Sequence, residues 1–376
     1  MCREVHPAGT PARPHGKTAV ICRVAPSGLA SQPAGIYRLV MPLLVQPTLP
    51  EPRGPISNSV VELLAERAPL HYLQKVETSL ADADPTGLDL QLALYVCYEL
   101  HYRSFAGVDG RWEWNPGLLA LRGRLEDLFL SDVTSGVGEI EPDAAGLAEL
   151  DKLCIEPVSG DGPSYFLRDE GSWDQMREYF AHRSLYHLKE GDPHAWAIPR
   201  LTGQAKASFV AVEYDEFGAG KGARLHQQLF ADLMAAADLD TAYLAYLDHV
   251  PAEALAVVNL MSLFGLHRRL RGAAVGHFAA TEVTSPPGSR RMVQALERLG
   301  APAECRGFYA EHVEADAVHE QVVRTDVVGD LVAREPHLDR DVVFGIRAFD
   351  LVENRLADHL MQCWRGGRTS LRRPLD

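Results

Sequence analysis

The stretch from Phe308 to Val328 contains neither glycine nor proline, and this predicts one long helix. It carries His312, Asp316 and His319 at spacings i, i+4 and i+7. In an α-helix this spacing places two imidazoles and one carboxylate in a row on one face. Such a row can bind a divalent metal ion, but it also suits a merely polar surface. Residues elsewhere in the chain have to distinguish these two interpretations. Three further acids of this stretch fall off the row and are predicted to be solvated: Glu311, Glu314 and Glu320.

Composition excludes several classes of protein. The chain has 376 residues, of which 46% are apolar, so a sizeable globular core is expected. A net charge of −14 without a long Lys/Arg run argues against nucleic acid and membranes as partners. Six scattered cysteines without a C-x-x-C motif predict free thiols in a reducing compartment, and hence a cytoplasmic location. No apolar run approaches the roughly 20 residues that span a bilayer.

The predicted architecture is an all-α helical bundle, because strand signals are nearly absent. Residues 1–56 are rich in proline, with no acid between Glu4 and Glu51, and predict a flexible leader. A transit segment is the less favoured alternative for this leader. Residues 57–155 predict an N-terminal helical subdomain, and a segment with two prolines and three glycines, 155–171, separates it from a second helical domain at 170–364. Residues 365–376 form a basic tail that we expect to be frayed.

Local motifs set the expected helix limits. Asn115-Pro116 and Ser172-x-x-Gln175 predict helix starts, the second through a capping box. Ser285-Pro286-Pro287-Gly288 predicts a break between helices at about 268–283 and 290–299. The helix with the His/Asp row is expected to span about 306–333, and a final helix about 341–364.

Further candidate metal ligands come from other predicted helices. Glu190 ends one of them, where a carboxylate is unfavourable against the helix dipole and calls for a cation, although a solvated acid is the simpler alternative. Glu282 lies in a helix of small and apolar residues, so it is either a buried ligand or an acid held by a neighbour. His277 of the same helix is predicted to be a core histidine with satisfied hydrogen bonds. Glu99 and His101 are predicted to be ordinary polar residues of a helix.

Glu216 and His226 form the last candidate pair. Ten residues are about three helical turns, so both face one way if the helix continues through the intervening glycines. Gly218, Gly220 and Gly222 each cost about 1 kcal/mol in a helix, which indicates local unwinding or the close approach of a substrate. Spacing leaves two alternatives to Glu216 open, namely Glu213 and Asp215.

Charge favours the metal interpretation. Two Fe²⁺ ions balance four carboxylates, whereas four unpaired buried carboxylates would each cost several kcal/mol, on the order of the usual penalty for a buried ion. Nitrogen and oxygen ligands without thiolate suit iron or manganese better than structural zinc. The four carboxylates are Glu190, Glu216, Glu282 and Asp316, and three neutral histidines complete the set.

These motifs resemble the haem-oxygenase-like diiron oxidases and oxygenases, the iron-containing redox enzyme family. The most specific element is His312-x-x-x-Asp316-x-x-His319. The resemblance also includes Glu190 with the following Asp192–Leu201 segment, the Asp215–Gly220 segment with His226, and Phe264–Gly272 followed by Gly276, His277 and Glu282. It covers about 170–364, and the N-terminal helices resemble an extension that some members carry.

The resemblance implies a core of about seven helices that binds two Fe(II) ions instead of haem. By motif match, His312, Asp316, His319, His226 and Glu190 are ligands. Glu216 fits members in which the carboxylate lies three turns before the histidine, and Glu282 is either a ligand or an acid behind the ligands. Six of these residues are expected to be catalytic: Glu190, Glu216, His226, His312, Asp316 and His319.

The implied activity is O₂-dependent oxidation of a small molecule in specialised metabolism. N-oxygenation of an amine or amino-acid-derived substrate is favoured over oxidative C–C cleavage with decarboxylation and over desaturation. Arg268 and Arg271 are candidates to bind a substrate carboxylate, and Trp196 and Tyr214 to wall the pocket. An external electron donor and a homodimer are left open. A non-catalytic iron-binding helical protein is the alternative from another class.

Overall fold

Helices form all of the regular secondary structure in the residues that the structure describes. The computed structural model of the chain describes residues 46–66, 76, 80–155 and 159–375, with the backbone alone at 314–318. The predicted all-α fold is confirmed. Residues 1–45 of the predicted leader lie outside the described residues.

The helices follow each other in this order: α1 Pro55–Leu64, α2 Leu88–Glu99, α3 Pro116–Val137, α4 Gly146–Leu153, α5 Pro163–Asp169, α6 Trp173–His187, α7 Asp192–Ala195, α8 Gly203–Glu216, α9 His226–Ala236, α10 Ala252–Leu266, α11 Arg271–Arg298, α12 Glu304–Val322, α13 Asp330–Arg334 and α14 Asp339–Arg365. Both predicted starts are confirmed. The Asn115 side chain accepts hydrogen bonds from the first turn of α3, and Ser172 and Gln175 cap α6 reciprocally.

The helices of the N-terminal part pack directly on those of the second part. Helix α2 lies between α1 and α10 and is buried from Leu90 to Glu99. Helices α3 and α4 pack on α14. Apolar side chains of both parts therefore share one continuous core. The division into two domains stays a prediction.

Helix α11 contradicts the predicted break, because it runs through Pro286 and Pro287. A proline inside a helix costs about 3 kcal/mol or more through its missing hydrogen bond. Helix α11 recovers stability by packing along both α12 and α14. Two glycines allow the closest approach, since a Cβ on Gly276 would collide with the Val342 carbonyl and one on Gly345 with the Ala273 carbonyl.

Helix α12 continues without interruption into α13 through a π-helical stretch, Val323–Gly329. The predicted extent of about 306–333 is thus confirmed, but the π-helical turn was not expected. Such turns occur mainly as insertions in α-helices near functional sites.

Both described chain ends are packed. The expected fraying of the basic tail is wrong for Ser370 and Leu371, which are buried. The Glu178 carboxylate accepts hydrogen bonds from the Ser370 backbone N–H, at 2.8 Å, and from its hydroxyl, at 2.6 Å. Residues 46–54 of the predicted leader are also tied down, for example by the Ala106 N–H, which donates to the Pro47 carbonyl at 2.8 Å. Among the described helices, none has both the length and the apolarity needed to cross a membrane.

Candidate metal centre

Four buried side chains meet at one point in the second part of the chain. Each offers one ligand atom, and these atoms all lie within 4.8 Å of one another. We call this the first group: Glu190, Glu216, His226 and His312. Nδ1 of His226 is 2.7 Å from Oε2 of Glu216, and Nε2 of His312 is 3.8 Å from Oε1 of Glu190.

Three buried side chains form an adjacent second group: Glu216, Glu282 and His319. Their ligand atoms also lie within 4.8 Å of one another, and Nδ1 of His319 is 3.2 Å from Oε2 of Glu282. Glu216 belongs to both groups. A carboxylate has two oxygens and can contact two metal ions at once. Each group could hold a metal ion, and Glu216 is available to both.

Glu190 lies in a turn and not in a helix, as helix α6 ends at His187 and α7 begins at Asp192. The next residue, Gly191, has a φ of 85°, a left-handed conformation that glycine adopts without strain. This turn points the Glu190 carboxylate toward the helix that carries His312.

The segment between Glu216 and His226 is unwound. The local unwinding that the glycines indicated is confirmed, because α8 ends at Glu216 and α9 begins at His226. The condition of a helix that continues through the glycines is therefore not met. Gly218 and Gly220 have φ values of 68° and 78°, which reverse the chain between the two ligands. The reversal brings the two side chains together more closely than a straight helix would.

The two histidines of α12 belong to different groups. His312 donates from Nδ1 to the Phe308 carbonyl at 2.8 Å, and its Nε2 faces Oε1 of Glu190 at 3.8 Å. A metal ion held by His312 would therefore bind at Nε2. His319 lies seven residues on and contacts Glu282 of α11. Asp316 is placed by its backbone between the two histidines on α12, but its side chain lies outside the described residues. Its role as a ligand stays a prediction.

The two alternatives to Glu216 have other positions. Oδ2 of Asp215 is 3.1 Å from Nε2 of His319, so this carboxylate supports a histidine of the second group. Glu213 is buried, and its carboxyl oxygens have no hydrogen-bond partner among the described residues. Burial raises the pKa of the Glu213 carboxyl well above its ordinary value, and the Glu216 and Glu282 carboxylates raise it further.

One residue of the centre, His187, was not predicted from the sequence. His187 places Nδ1 2.8 Å from Oε1 of Glu190, three residues on. Burial opposes the charged form of Glu190, but His187 and His312 favour it more strongly and hold the pKa of this carboxyl well below its ordinary value. The i, i+3 spacing was the available signal, and it predicts such a contact only if the chain keeps turning beyond the helix end.

The residues present fit divalent metal ions. Oε2 of Glu190 and Nδ1 of His226 are buried, and neither has a hydrogen-bond partner in the described part of the chain. The His226 and Glu216 atoms approach to 2.7 Å without the alignment of a hydrogen bond, as expected when both face a common cation. A space of about 20 Å³, enough for a water or an ion, lies among Glu190, Glu216, Glu282 and His312. Imidazole and carboxylate donors without thiolate suit iron or manganese.

A larger cavity of about 190 Å³ adjoins this centre, and Glu190 and His312 line both spaces. Two buried polar atoms of its wall, Nε2 of His277 and the Tyr309 hydroxyl, have no hydrogen-bond partner among the described residues. His277 is thus in the core, but it is not satisfied as predicted, because only Nδ1 is paired, with His194 at 3.2 Å. Burial lowers the pKa of His277 to about 3, so its ring is neutral.

The four candidate substrate residues lie elsewhere on the described surface. Arg268 is exposed, Arg271 pairs with Glu335, and Tyr214 is half-exposed with its hydroxyl bonded to the Ala219 carbonyl. Trp196 lines a separate hollow with Tyr102. None of the four lines the cavity beside the metal centre, and their role in substrate binding stays a prediction. Spacing alone could not show which side of each helix faces the cavity.

Comparison with known proteins places this centre in a family. Residues 177–354 match the family described as iron-containing redox enzyme, and every proposed ligand lies inside the match. Residues 177–354 belong to the haem-oxygenase-like family of iron-containing redox enzymes. The resemblance stated from the motifs is confirmed, and the description of the family indicates an oxidoreductase. No curated protein matches the chain.

Proposed function

We propose that the chain is a non-haem diiron enzyme, an oxidase or oxygenase that uses O₂ to oxidise a small molecule. The observation that carries the proposal is the sharing of Glu216 between two buried groups of metal-ligand type beside a cavity of about 190 Å³. Glu190, His226 and His312 would hold one Fe(II) ion, Glu282 and His319 the other, and Glu216 both. Bound iron would supply the one-electron redox chemistry that O₂ activation requires.

The surrounding residues prepare the site for this chemistry. The carboxylates remain ionised when burial is offset by cations, and a metal ion at each group would offset it. The Phe308 carbonyl fixes the His312 ring with Nε2 directed at the centre, and His187 holds one oxygen of Glu190. Apolar residues such as Met261, Met292 and Phe349 line the cavity and exclude water from the substrate.

The cavity supports a compact substrate with polar groups. Nε2 of His277 and the Tyr309 hydroxyl are open to hydrogen bonds with it. His277 accepts from an N–H or O–H of the substrate when its own Nδ1–H donates to His194. This supports N-oxygenation of an amine or amino-acid-derived substrate as our first choice. Oxidative C–C cleavage with decarboxylation and desaturation are the alternatives at the same site, and an external electron donor completes the first reaction.

The test begins with anaerobic loading of the metal-free protein with Fe(II), followed by mixing with O₂ and a panel of amines and amino acids. We expect two irons per chain, a transient visible absorption band, and a product heavier by one oxygen atom. A chain that binds no iron would contradict the proposal. Iron uptake without O₂ consumption in any mixture would support a non-catalytic iron-binding protein instead.

A further inference from the structure

Glu99 of helix α2 is fully buried, although we predicted an ordinary polar residue of a helix. Its side chain is 0% exposed, and it pairs with Lys189, which is 1% exposed. Nζ of Lys189 lies 2.9 Å from Oε2 of Glu99, and the Tyr243 hydroxyl lies 2.9 Å from each carboxylate oxygen. A buried ion pair is tolerated only when it is closely paired and further hydrogen-bonded, as this one is.

Two aromatic rings complete the environment of the Lys189 ammonium. Nζ lies 4.7 Å from the centre of the Tyr95 ring and 4.4 Å from that of Tyr102. A cation between two ring faces in a desolvated site gains from both. Because Lys189 precedes Glu190 in the chain, α2 and the residues after it fix the side chain next to a proposed ligand.

The Arg103 side chain binds the backbone of the same turn. Its guanidinium donates to the Leu188 carbonyl at 3.0 Å and to Oε1 of Gln227 at 2.7 Å. Gln227 in turn donates from Nε2 to the Glu190 carbonyl at 3.0 Å. Leu188, Lys189 and Glu190 are therefore each held by a hydrogen bond with a residue outside the turn. Gln227, which bonds the Glu190 carbonyl, is also the residue next to His226.

The two ligand groups differ in how much they need such support. Glu282 lies inside the long helix α11, and His319 lies inside the continuous run of α12, the π-helical stretch and α13, so neither is at the end of a helical run. Glu190 lies in a turn and His226 at the first residue of a helix, where intrahelical hydrogen bonds are missing. Contacts with other parts of the chain must therefore fix the backbone at Glu190 and His226, as intrahelical hydrogen bonds do inside a helix.

We propose that Glu99, Arg103 and Lys189 are positioning residues for the first group, so that α2 and the turn after it complete one of the two metal positions. Glu99 and Arg103 lie outside the residues that match the family. This inference rests on the proposed two-metal function. It adds that the N-terminal part of the chain is required for one metal position more than for the other.

The test is a titration of the metal-free protein with Co(II), followed by absorption, in the full chain. Arg103→Ala removes the hydrogen bonds from the guanidinium to Leu188 and Gln227. We expect one of the two binding steps to lose about 10- to 100-fold in affinity, as for other residues that support ligands. Arg347→Ala is the matched control. Arg347 also bonds two partners, Glu141 and Glu149, and is similarly half-buried, but it joins α14 to the segment around α4. We expect both binding steps of this control to stay at wild-type affinity.

Two single variants, each lacking one ligand, show which metal position Arg103→Ala affects. In His319→Gln, the remaining Co(II) ion belongs to the first group, and adding Arg103→Ala should weaken it by the same factor. In His226→Gln, the remaining ion belongs to the second group, and adding Arg103→Ala should leave its affinity unchanged. Equal losses in both backgrounds, or no loss in either, would overturn the proposal.

A second variant distinguishes loss of metal affinity from failure of the protein to fold. If circular dichroism shows that Arg103→Ala does not fold, Gln227→Met tests the same link from the other side, with the same expectation in both backgrounds. Wild-type protein that takes up no Co(II) and no Fe(II) would refute the proposed function itself. Wild-type protein that binds two ions, with variants that do not discriminate between them, would refute only the positioning role.

Discussion

The first group and the second group use the backbone in opposite ways. In the first group, Glu190 and His226 lie at a turn and at a helix start, and only His312 lies inside a helix. In the second group, Glu282 and His319 both lie inside long helices that pack on each other. The second group is thus built from residues inside helices, and the first group largely from turns and helix ends that the rest of the fold must hold. Glu216, at the last residue of α8, joins the two.

The largest effect is expected where the two groups meet. Glu216→Gln removes the shared carboxylate, so both metal positions should fail together, with more than the roughly 100-fold loss of affinity that follows loss of a supporting residue. Iron per chain and O₂ consumption measure this. Glu311→Gln is the control on α12, since Glu311 pairs with Arg224 at the surface. Retention of two irons by Glu216→Gln would show that this residue is not shared.

Separate loss of each group is the next effect in size. His226→Gln and His319→Gln should each leave about one metal ion per chain, because each removes a ligand of one group only. Metal analysis after gel filtration gives the count, and Co(II) spectra distinguish the two sites. Identical spectra for the two variants would mean that the groups form one metal position instead of two.

A smaller effect is expected from Asp215, which touches a ligand but belongs to neither group. Asp215→Asn weakens the acceptor of the His319 Nε2–H, so affinity at the second group should fall by about 10-fold while the first group is unaffected. Asp232→Asn, a surface change on α9, is the control. A loss at the first group instead would place Asp215 nearer to Glu216 than to His319 in function.

The smallest effect is expected at Glu213, three residues before Glu216 on the same helix. Its pKa is raised in the folded protein by burial and by neighbouring carboxylates, so the folded state retains a proton that the unfolded state releases. In the metal-free protein, Glu213 therefore lowers stability as pH rises above its ordinary pKa of 4.5.

Glu213→Gln should remove this pH dependence. We expect the variant to be more stable than wild type at pH 8, by about 1 kcal/mol or more, and similar at pH 4, as judged by urea unfolding. Metal stoichiometry should be unchanged. Loss of metal in this variant would instead make Glu213 a ligand and enlarge the first or second group.

Sequence patterns predicted the regular parts of the molecule well. The capping box at Ser172 and the helix that carries His312 and His319 are confirmed, and the residues that the structure describes contain no strand. The predicted break at Pro286-Pro287 is wrong because packing of α11 on two neighbours outweighs the local preference of proline. The expected fraying of the tail is wrong because Glu178 captures Ser370.

In the site too, relations within one helix were predictable from the sequence, and contacts between separate elements were not. Periodicity within one helix relates His312 to His319, since 3.6 residues per turn fixes the direction of each side chain. No such period relates Glu190 to His312, or Glu282 to His319, because each contact joins separate elements. The motif resemblance supplied these residues, but it did not supply the sharing of Glu216 or the contact of Asp215.

By itself, the sequence determined an all-α chain with a row of metal-ligand side chains on one helix, because local propensity and spacing act within single elements. Tertiary structure decided which residues face the cavity, because His277 and Tyr309 line it and Arg268 and Arg271 do not. It also decided that Glu99 is buried against Lys189, beside a ligand 91 positions further along the chain. Contacts between distant elements depend on how helices cross and turns reverse, and no period in the sequence records that geometry.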